Sequence, residues 1–205
     1  MNFCTTTFLL TFLPLFLVVY YITPKKLKNA WLLIASIFFY SWGAPKFIFL
    51  LLTTTLIDFF LVRKMDTCEK QVVRKRYMWL AVGLNLGILI YFKYANFFID
   101  SINIGLVEMG ITPMEWLEIA FPVGISFYTF ETITYIVDVY RKENKPLKNF
   151  WDYQLYIIFF PKLIAGPIVR FQLIADQITQ RNETINDCLH GFYRFCIGLG
   201  KKILI

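Results

Sequence analysis

The apolar stretch GISFYTFETITYIVDVY carries ionisable side chains at a depth where a membrane-spanning helix would be most hydrophobic. Glu131 lies near its middle, and further polar residues share its helix face at spacings of three and four, namely Tyr128, Tyr135, Asp138 and Lys142. Ionisable groups inside a bilayer are costly and usually face protein or water. This face is therefore either a polar seam between helices or the wall of a water-filled cavity, and for Asp138 a structural or interfacial role is favoured.

A second stretch, PKLIAGPIVRFQ, combines helix breakers and cations with apolar sequence. Pro161 should end the preceding helix, because proline disfavours helical backbone at the residue before it. Gly166 and Pro167 should force a second turn. Irregular backbone at membrane depth is tolerated where it is buried in protein or lines a cavity. The pattern predicts a re-entrant or broken-helix segment near residues 161–170.

Other polar residues within apolar sequence favour structural roles. Asp58 and Asn85 are expected to pair helices, and Gly124 in PVGIS should let another backbone approach the start of its helix closely. His190 could act as a general base, but the sequence places no acid or nucleophile to form a constellation with it. An interfacial, structural role is favoured for His190. No metal site is predicted, since the four cysteines show no CxxC spacing.

The composition indicates the elements that must position these residues. The chain has 205 residues, of which 58% are hydrophobic, 19% aromatic and 17% charged. Average globular chains are about 45–50% apolar and about 25% charged, so the chain falls in the membrane class. The net charge of +7 comes from short clusters between apolar blocks, as in cytoplasmic loops. No nucleic-acid-binding module is present, and nucleic acid is not expected as a partner.

The predicted fold is an all-α, polytopic membrane helix bundle, because helices satisfy their own backbone hydrogen bonds in lipid. Residues 1–205 are expected to form part of a single domain. Spans are predicted at about residues 3–22, 30–42, 47–62, 77–98 and 121–140, followed by a re-entrant or amphipathic region over 150–180 and a helix over 186–205.

Loop charges predict the orientation. With the N-terminus outside the cell, the basic clusters 25–28, 63–76 and 141–148 all lie in the cytoplasm, as loops rich in Lys and Arg should. Residues 100–118, which carry four acids and no cation, then lie outside. The opposite orientation would place every basic cluster outside.

Six stretches together resemble the bacterial branch of the membrane-bound O-acyltransferases, which contains alginate O-acetylases, peptidoglycan O-acetyltransferases and the D-alanyl transfer protein of teichoic acids. They are FLPLFLVVYY, NAWLLIASIFFYSWGAPKFIFLLL, GLNLGILIYFKYANFF, FPVGISFYTFETITYIVDVYR, YIIFFPKLIAGPIVRFQ and GFYRFCIGLGKKILI. The alginate O-acetylase type is the most similar. Many members of this family carry Gln where this chain has Glu131.

The resemblance implies an enzyme of the bacterial inner membrane. It would accept an acyl group, typically acetyl, from a cytoplasmic donor such as acetyl-CoA or an acyl-carrier thioester, and pass it to an extracytoplasmic polysaccharide or cell-wall polymer. Membrane lipid, the donor or its carrier protein, the polymer and often a secreted or anchored acetyltransferase would be its partners, with no tightly bound cofactor. The chain resembles the N-terminal half of such enzymes. The family's histidine is expected beyond Ile205, so no catalytic residue is assigned here.

Within this resemblance Glu131, Tyr128 and Asp138 become candidates for lining or shaping a tunnel. Four further candidates for the same role are Lys162, Gly166, Pro167 and Arg170. Lys162 and Arg170 could reach anionic lipid headgroups or pair with Glu131 or Asp138. An interfacial position is favoured for Lys162, and Arg170 is expected to shape the opening for an anionic donor.

Two other functions remain open from the sequence. One is a non-enzymatic scaffold or remnant of a polysaccharide-modification system. The other is a small proton-coupled transporter, with Glu131 and Asp138 as a proton relay.

Overall fold

The computed structural model describes residues 3, 5–163, 169–179, 181 and 183–204. Across these residues the chain is helical with connecting turns and contains no strand, which confirms the predicted all-α class. The predicted turn at Gly166 and Pro167 lies outside the described residues.

The helices follow the apolar blocks of the sequence. They are α1 (Leu13–Ile22), which continues a π-helical turn at Phe8–Phe12, α2 (Lys28–Gly43), α3 (Phe47–Thr67), α4 (Gln71–Glu108), α5 (Ile125–Tyr140), α6 (Phe150–Ile158), α7 (Phe160–Leu163), α8 (Ala175–Thr179) and α9 (Ile185–Leu204). Within the described ranges, α4 alone is long and apolar enough by itself to cross a membrane, and Phe8–Ile22 is a shorter apolar helix. The multi-pass arrangement and its orientation stay predictions.

Two helix ends differ from the sequence expectation. The span predicted at 77–98 belongs to α4, which continues to Glu108, so the first half of the acidic stretch is helical. No proline interrupts it, and the turn after it comes at Gly110, whose φ is 74°. Conversely, α5 ends at Tyr140, and Lys142 adopts a φ of 62°. Lys142 therefore does not extend the polar face of α5, and its side chain is exposed.

Polar side chains join the buried helix faces. The Asn85 amide on α4 donates to both carboxylate oxygens of Asp58 on α3, at 2.8 and 2.9 Å. Both side chains are buried, and the structural role between helices expected of each residue is confirmed. Arg74, also on α4, donates to the Tyr140 carbonyl at 3.1 Å. It thereby caps the end of α5, where a cation is favoured by the helix dipole.

The predicted helix break occurs just before Pro161. Phe159 leaves helical geometry with φ −52° and ψ 110°, and Pro161 then lies in the first turn of α7, where its missing N–H costs little. The break exposes the Phe160 N–H, which donates to the Ser36 hydroxyl of α2 at 3.1 Å. Because Ser36 and Phe160 are both buried, water cannot replace this bond.

Replacing Ser36 by alanine is expected to lower the free energy of unfolding by about 1–3 kcal/mol, since a buried donor loses its acceptor. Ser101→Ala is the matched control. Ser101 makes the same bond to the carbonyl four residues earlier, at 2.8 Å against 2.7 Å for Ser36, but it is exposed and accepts no further donor among the described residues. Equilibrium unfolding in detergent micelles measures both. Equal costs for the two variants would show that the Phe160 bond contributes nothing.

Gly124 holds the start of α5 against α7. It has a φ of 79°, and a Cβ placed on it would lie 2.7 Å from the Leu163 carbonyl oxygen. The sequence prediction that Gly124 permits a close backbone approach is confirmed. The contact fixes α5, which carries Glu131, relative to the short helix that carries Lys162.

Candidate functional site

The polar face of α5 is buried as predicted. Tyr128, Glu131, Tyr135 and Asp138 each expose 6% or less of their surface. The Tyr135 hydroxyl accepts the Leu147 N–H at 2.8 Å, which ties the following loop to the helix. The face is thus a polar seam between packed elements at this end.

Lys162 is paired with Glu131. The Lys162 ammonium donates to the Glu131 Oε1, and each side chain exposes only 6% of its area. The interfacial position favoured for Lys162 is therefore incorrect, and the alternative pairing with Glu131 is the one observed. The break at Phe159 turns the lysine inward, so that α7 delivers a cation to a carboxylate of α5.

Tyr156 completes this cluster, although its role was not recognised from the sequence. The Lys162 ammonium lies 3.8 Å from the centroid of the Tyr156 ring, a favourable cation–π distance. The Tyr156 hydroxyl donates to the Val169 carbonyl at 3.2 Å. Tyr156 therefore links Lys162 to the chain that follows residues 164–168. The sequence signal for this role was that Tyr156 lies on α6 within two helical turns of Pro161.

Asp138 and Arg170 lie apart from that pair. Their charges are close enough to interact, but no ion pair within 4.0 Å joins them in the described part of the chain. Arg170 is exposed and Asp138 is buried. The structure thus pairs Glu131 with Lys162, whereas Asp138 and Arg170 form no direct ion pair in the described part of the chain.

Lys162 and Tyr156 line a cavity of about 450 Å³, here called the inner cavity. Its walls come from α1, α2, α6, α7 and residues 169–181, and they are mostly apolar: Phe16, Leu17, Leu32, Leu155, Phe159, Phe160, Ile174 and Ile178. Arg181 and Gln177 also contribute polar groups. An apolar cavity with a few convergent polar groups is the usual form of a small-molecule site.

A wider opening of about 1240 Å³, the basic groove, lies between α1 and α9. Four cations line it, Lys25, Lys26, Lys28 and Arg181. The groove and the inner cavity share Leu17, Ile178 and Arg181, so the two spaces adjoin at Arg181. An anion attracted by the groove would therefore meet the mouth of the inner cavity.

Glu183 anchors the chain leading into α9. Its carboxylate accepts from Lys28 at 2.5 Å and from the Tyr20 hydroxyl, while Arg181 donates to the Asn29 amide oxygen at 3.3 Å. Burial alone would raise the pKa of Glu183, but the hydrogen bonds from Lys28 and Tyr20 outweigh it and hold the pKa below its usual range. The folded state therefore favours the charged form of Glu183.

The contribution of Glu183 to stability is expected to depend on pH. Because its pKa is lowered on folding, the contribution is present above the ordinary carboxyl pKa of about 4.5 and is lost as the pH falls through the lowered value. The thermal midpoints of wild type and Glu183→Gln should therefore differ at pH 7 and converge towards pH 3. Glu143→Gln, which removes an exposed partner of Arg141, is the control and should show little difference. A gap for Glu183→Gln that stays constant with pH would contradict the expectation.

His190 lies exposed on α9. Its neighbour Asp187 bonds to Thr184, accepting from the Thr184 N–H and hydroxyl, and Thr184 in turn accepts from the Asp187 N–H. The pKa of Asp187 lies below its usual range, and the hydrogen bonds with Thr184 are the largest cause of this lowering. This is a capping box, and TIND in the sequence was its recognisable signal. Over the described residues no cluster of three or more His, Cys, Asp or Glu could hold a metal.

Relatives resemble the chain along its whole length. It is 40% identical over 206 residues to a protein of Pseudomonas syringae pv. tomato named "Probable alginate O-acetylase AlgI", covering 100% of this chain and 40% of that protein. A protein of the same name from Pseudomonas aeruginosa is 38% identical, with 100% and 40% covered. A Helicobacter pylori protein named "Peptidoglycan O-acetyltransferase" is 31% identical over 237 residues, with 99% and 44% covered.

The chain thus spans about 40% of the length of the curated relatives it matches. No family model matches the chain, and no solved structure matches it.

Proposed function

Because this chain is homologous along its whole length to the bacterial branch of the membrane-bound O-acyltransferases, we propose that it is part of an O-acyltransferase of the bacterial inner membrane. The proposed enzyme moves an acetyl group from a cytoplasmic donor to a hydroxyl of an extracytoplasmic polysaccharide or cell-wall polymer. The names of its relatives, an alginate O-acetylase and a peptidoglycan O-acetyltransferase, support both the reaction and the class of acceptor.

The observation that carries the proposal is the inner cavity beside the basic groove. A donor such as acetyl-CoA, or an acyl-carrier thioester, joins an anionic part to a slender arm that ends in a thioester. Lys25, Lys26 and Arg181 suit the anionic part, and the apolar walls beyond Arg181 suit the arm. Lys162 at the cavity wall is a buried cation near which a polarised carbonyl oxygen would be stabilised.

The transfer itself breaks the C–S bond of the thioester and forms a C–O ester bond. The proton of the acceptor hydroxyl passes to a base, and the donor leaves as a thiol. Residues 1–205 are proposed to bind and orient the donor, while the base is the family histidine expected outside this chain. We therefore expect purified residues 1–205 to form no acetyl ester on a polysaccharide when they are incubated with labelled acetyl-CoA.

A chimaera tests the proposal directly. Residues 1–205 would replace the matching N-terminal part of the Pseudomonas aeruginosa relative in cells that lack that protein, and acetyl esters on the exported polymer would be measured. We expect esters with the chimaera and at least about a tenfold loss with Lys162→Met. A chimaera that reaches the membrane in normal amount yet forms no ester would overturn the proposal. Proton-coupled uptake by vesicles containing residues 1–205 would instead favour a transporter.

A further inference from the structure

A separate pocket of about 340 Å³ lies beside the distal part of α4 and the acidic stretch that follows it. We call it the Trp116 pocket; its lining is Asn96, Asp100, Asn103, Met114, Trp116 and Glu118. It shares no residue with the inner cavity or the basic groove. Its volume falls in the range of small-molecule sites, about 300–1,000 Å³.

Two asparagines build the pocket by holding an extended segment against α4. The side-chain amide of Asn103 makes two hydrogen bonds with the Met114 backbone. Its oxygen accepts from the Met114 N–H at 2.8 Å, and its nitrogen donates to the Met114 carbonyl at 3.1 Å. Asn96 does the same with Ile119, at 3.0 and 2.9 Å. Since the two asparagines are seven residues apart on one helix face, the segment between Met114 and Ile119 is fixed at both ends.

The same framework fixes the Trp116 ring. Its indole N–H donates to the Asn96 amide oxygen at 3.1 Å, yet 44% of the residue remains exposed. Asp100 and Glu118 line the pocket beside it, and in the part of the chain that the structure describes neither makes a hydrogen bond or ion pair. The pocket therefore presents a positioned aromatic face together with free carboxylate acceptors.

We propose that the Trp116 pocket binds a saccharide unit of the acceptor polymer. A pyranose ring has an apolar C–H face that stacks on indole and hydroxyls that donate to carboxylates, and these are the two groups that the pocket offers. This inference rests on the proposed function, because the acceptor is then on the side of the membrane where residues 100–118 are predicted to lie.

The negative charge of residues 100–118 distinguishes between neutral and anionic saccharides. Residues 100–118 carry four acids, Asp100, Glu108, Glu115 and Glu118, and no cation. A polyuronate would be repelled by these carboxylates, most strongly at low ionic strength. The pocket therefore favours a neutral sugar, such as a hexose or an N-acetylated amino sugar, over a uronate.

Saturation-transfer NMR on the full chain in lipid nanodiscs tests this without any acyl donor. Cellotetraose, chitotetraose and tetramannuronate are the probes. We expect a neutral tetrasaccharide to bind with its C–H face against the protein and tetramannuronate to bind at least about tenfold more weakly at low salt. Trp116→Ala should weaken neutral binding at least about tenfold, and Trp116→Phe should retain part of it. Trp79→Ala removes a tryptophan of similar exposure elsewhere on α4 and should change nothing.

The double variant Asp100→Asn with Glu118→Gln provides a second test in case the Trp116→Ala protein does not fold. It leaves both asparagine bridges in place and should reduce the discrimination against tetramannuronate, although Glu108 and Glu115 remain. The proposal is overturned if Trp116→Ala leaves binding unchanged, or if wild type prefers tetramannuronate. It is also overturned if the pocket captures only a basic protein and no saccharide. Loss of acetyl transfer in the chimaera with saccharide binding intact would refute the proposed function alone.

Discussion

Replacing Lys162 by methionine is expected to lower the free energy of unfolding by about 3–5 kcal/mol, because it leaves the Glu131 carboxylate buried without its partner. Each side chain of the pair exposes only 6% of its area, so water cannot solvate the remaining charge. Equilibrium unfolding in dodecyl maltoside with added SDS measures the effect. The double variant Glu131→Gln with Lys162→Met should recover most of the loss, since it removes both charges.

Lys28→Met provides a matched comparison. Lys28 also pairs with a glutamate, Glu183, but that pair exposes 13% and 24% of its side chains. Such a pair is worth about 0–1 kcal/mol where solvent reaches it. If Lys162→Met costs no more than Lys28→Met, or if the double variant is as unstable as the single one, the Glu131–Lys162 pair is not the buried contact described above.

Replacing Gly124 by alanine is expected to cost about 2–5 kcal/mol. Left-handed backbone costs a residue with a Cβ about 1–2 kcal/mol, and forcing extra volume into a packed site costs about 1–3 kcal/mol more. The second contribution applies because the added carbon would lie 2.7 Å from the backbone oxygen of Leu163, which cannot rotate away. In the chimaera this variant should also reduce ester formation, because α7 carries Lys162.

Two other glycines separate these contributions. Gly110 has a similar φ of 74° but open space around its Cβ position, so Gly110→Ala should show the backbone cost alone. Gly87 is helical with open space, and Gly87→Ala should be neutral or slightly stabilising. The expected order of stability is Gly87→Ala, then Gly110→Ala, then Gly124→Ala. If Gly110→Ala and Gly124→Ala cost the same, the contact with Leu163 adds nothing.

Much of the helical architecture was predictable because membrane-type helices are apolar blocks separated by breakers and charge. The break before Pro161 and the close approach at Gly124 each had a local signal in the sequence, and Asp58 and Asn85 were each expected to have a structural role between helices. The partner of Lys162 did not. Choosing between Glu131 and Asp138 depends on how the non-helical Phe159 rotates α7, and that rotation is set by the Ser36 bond from a distant helix.

The Trp116 pocket shows another limit. Asn96 and Asn103 share one face of α4, but the predicted span ended at residue 98, so this shared face was not predicted. Their partners, however, are the backbone groups of Met114 and Ile119, which every residue possesses. When a side chain bonds to backbone groups, the sequence contains no complementary side chain that would identify the partner. The pocket therefore could not be predicted from residue types.

The length of α4 has a consequence for the height above the membrane at which the proposed acceptor site would lie. Its 38 residues correspond to about 57 Å, against about 40–45 Å for a bilayer with its headgroups. With the predicted crossing at 77–98, the ten residues that follow Phe98, up to Glu108, rise about 15 Å from the hydrocarbon boundary. The asparagine bridges hold the segment from Met114 to Ile119 against this end of α4, so under the proposed function they would set the height at which a polymer strand is bound. If the proposed function holds, only strands within a sugar unit or two of the headgroups would be within reach, and we expect modification to accompany export across the membrane rather than follow it.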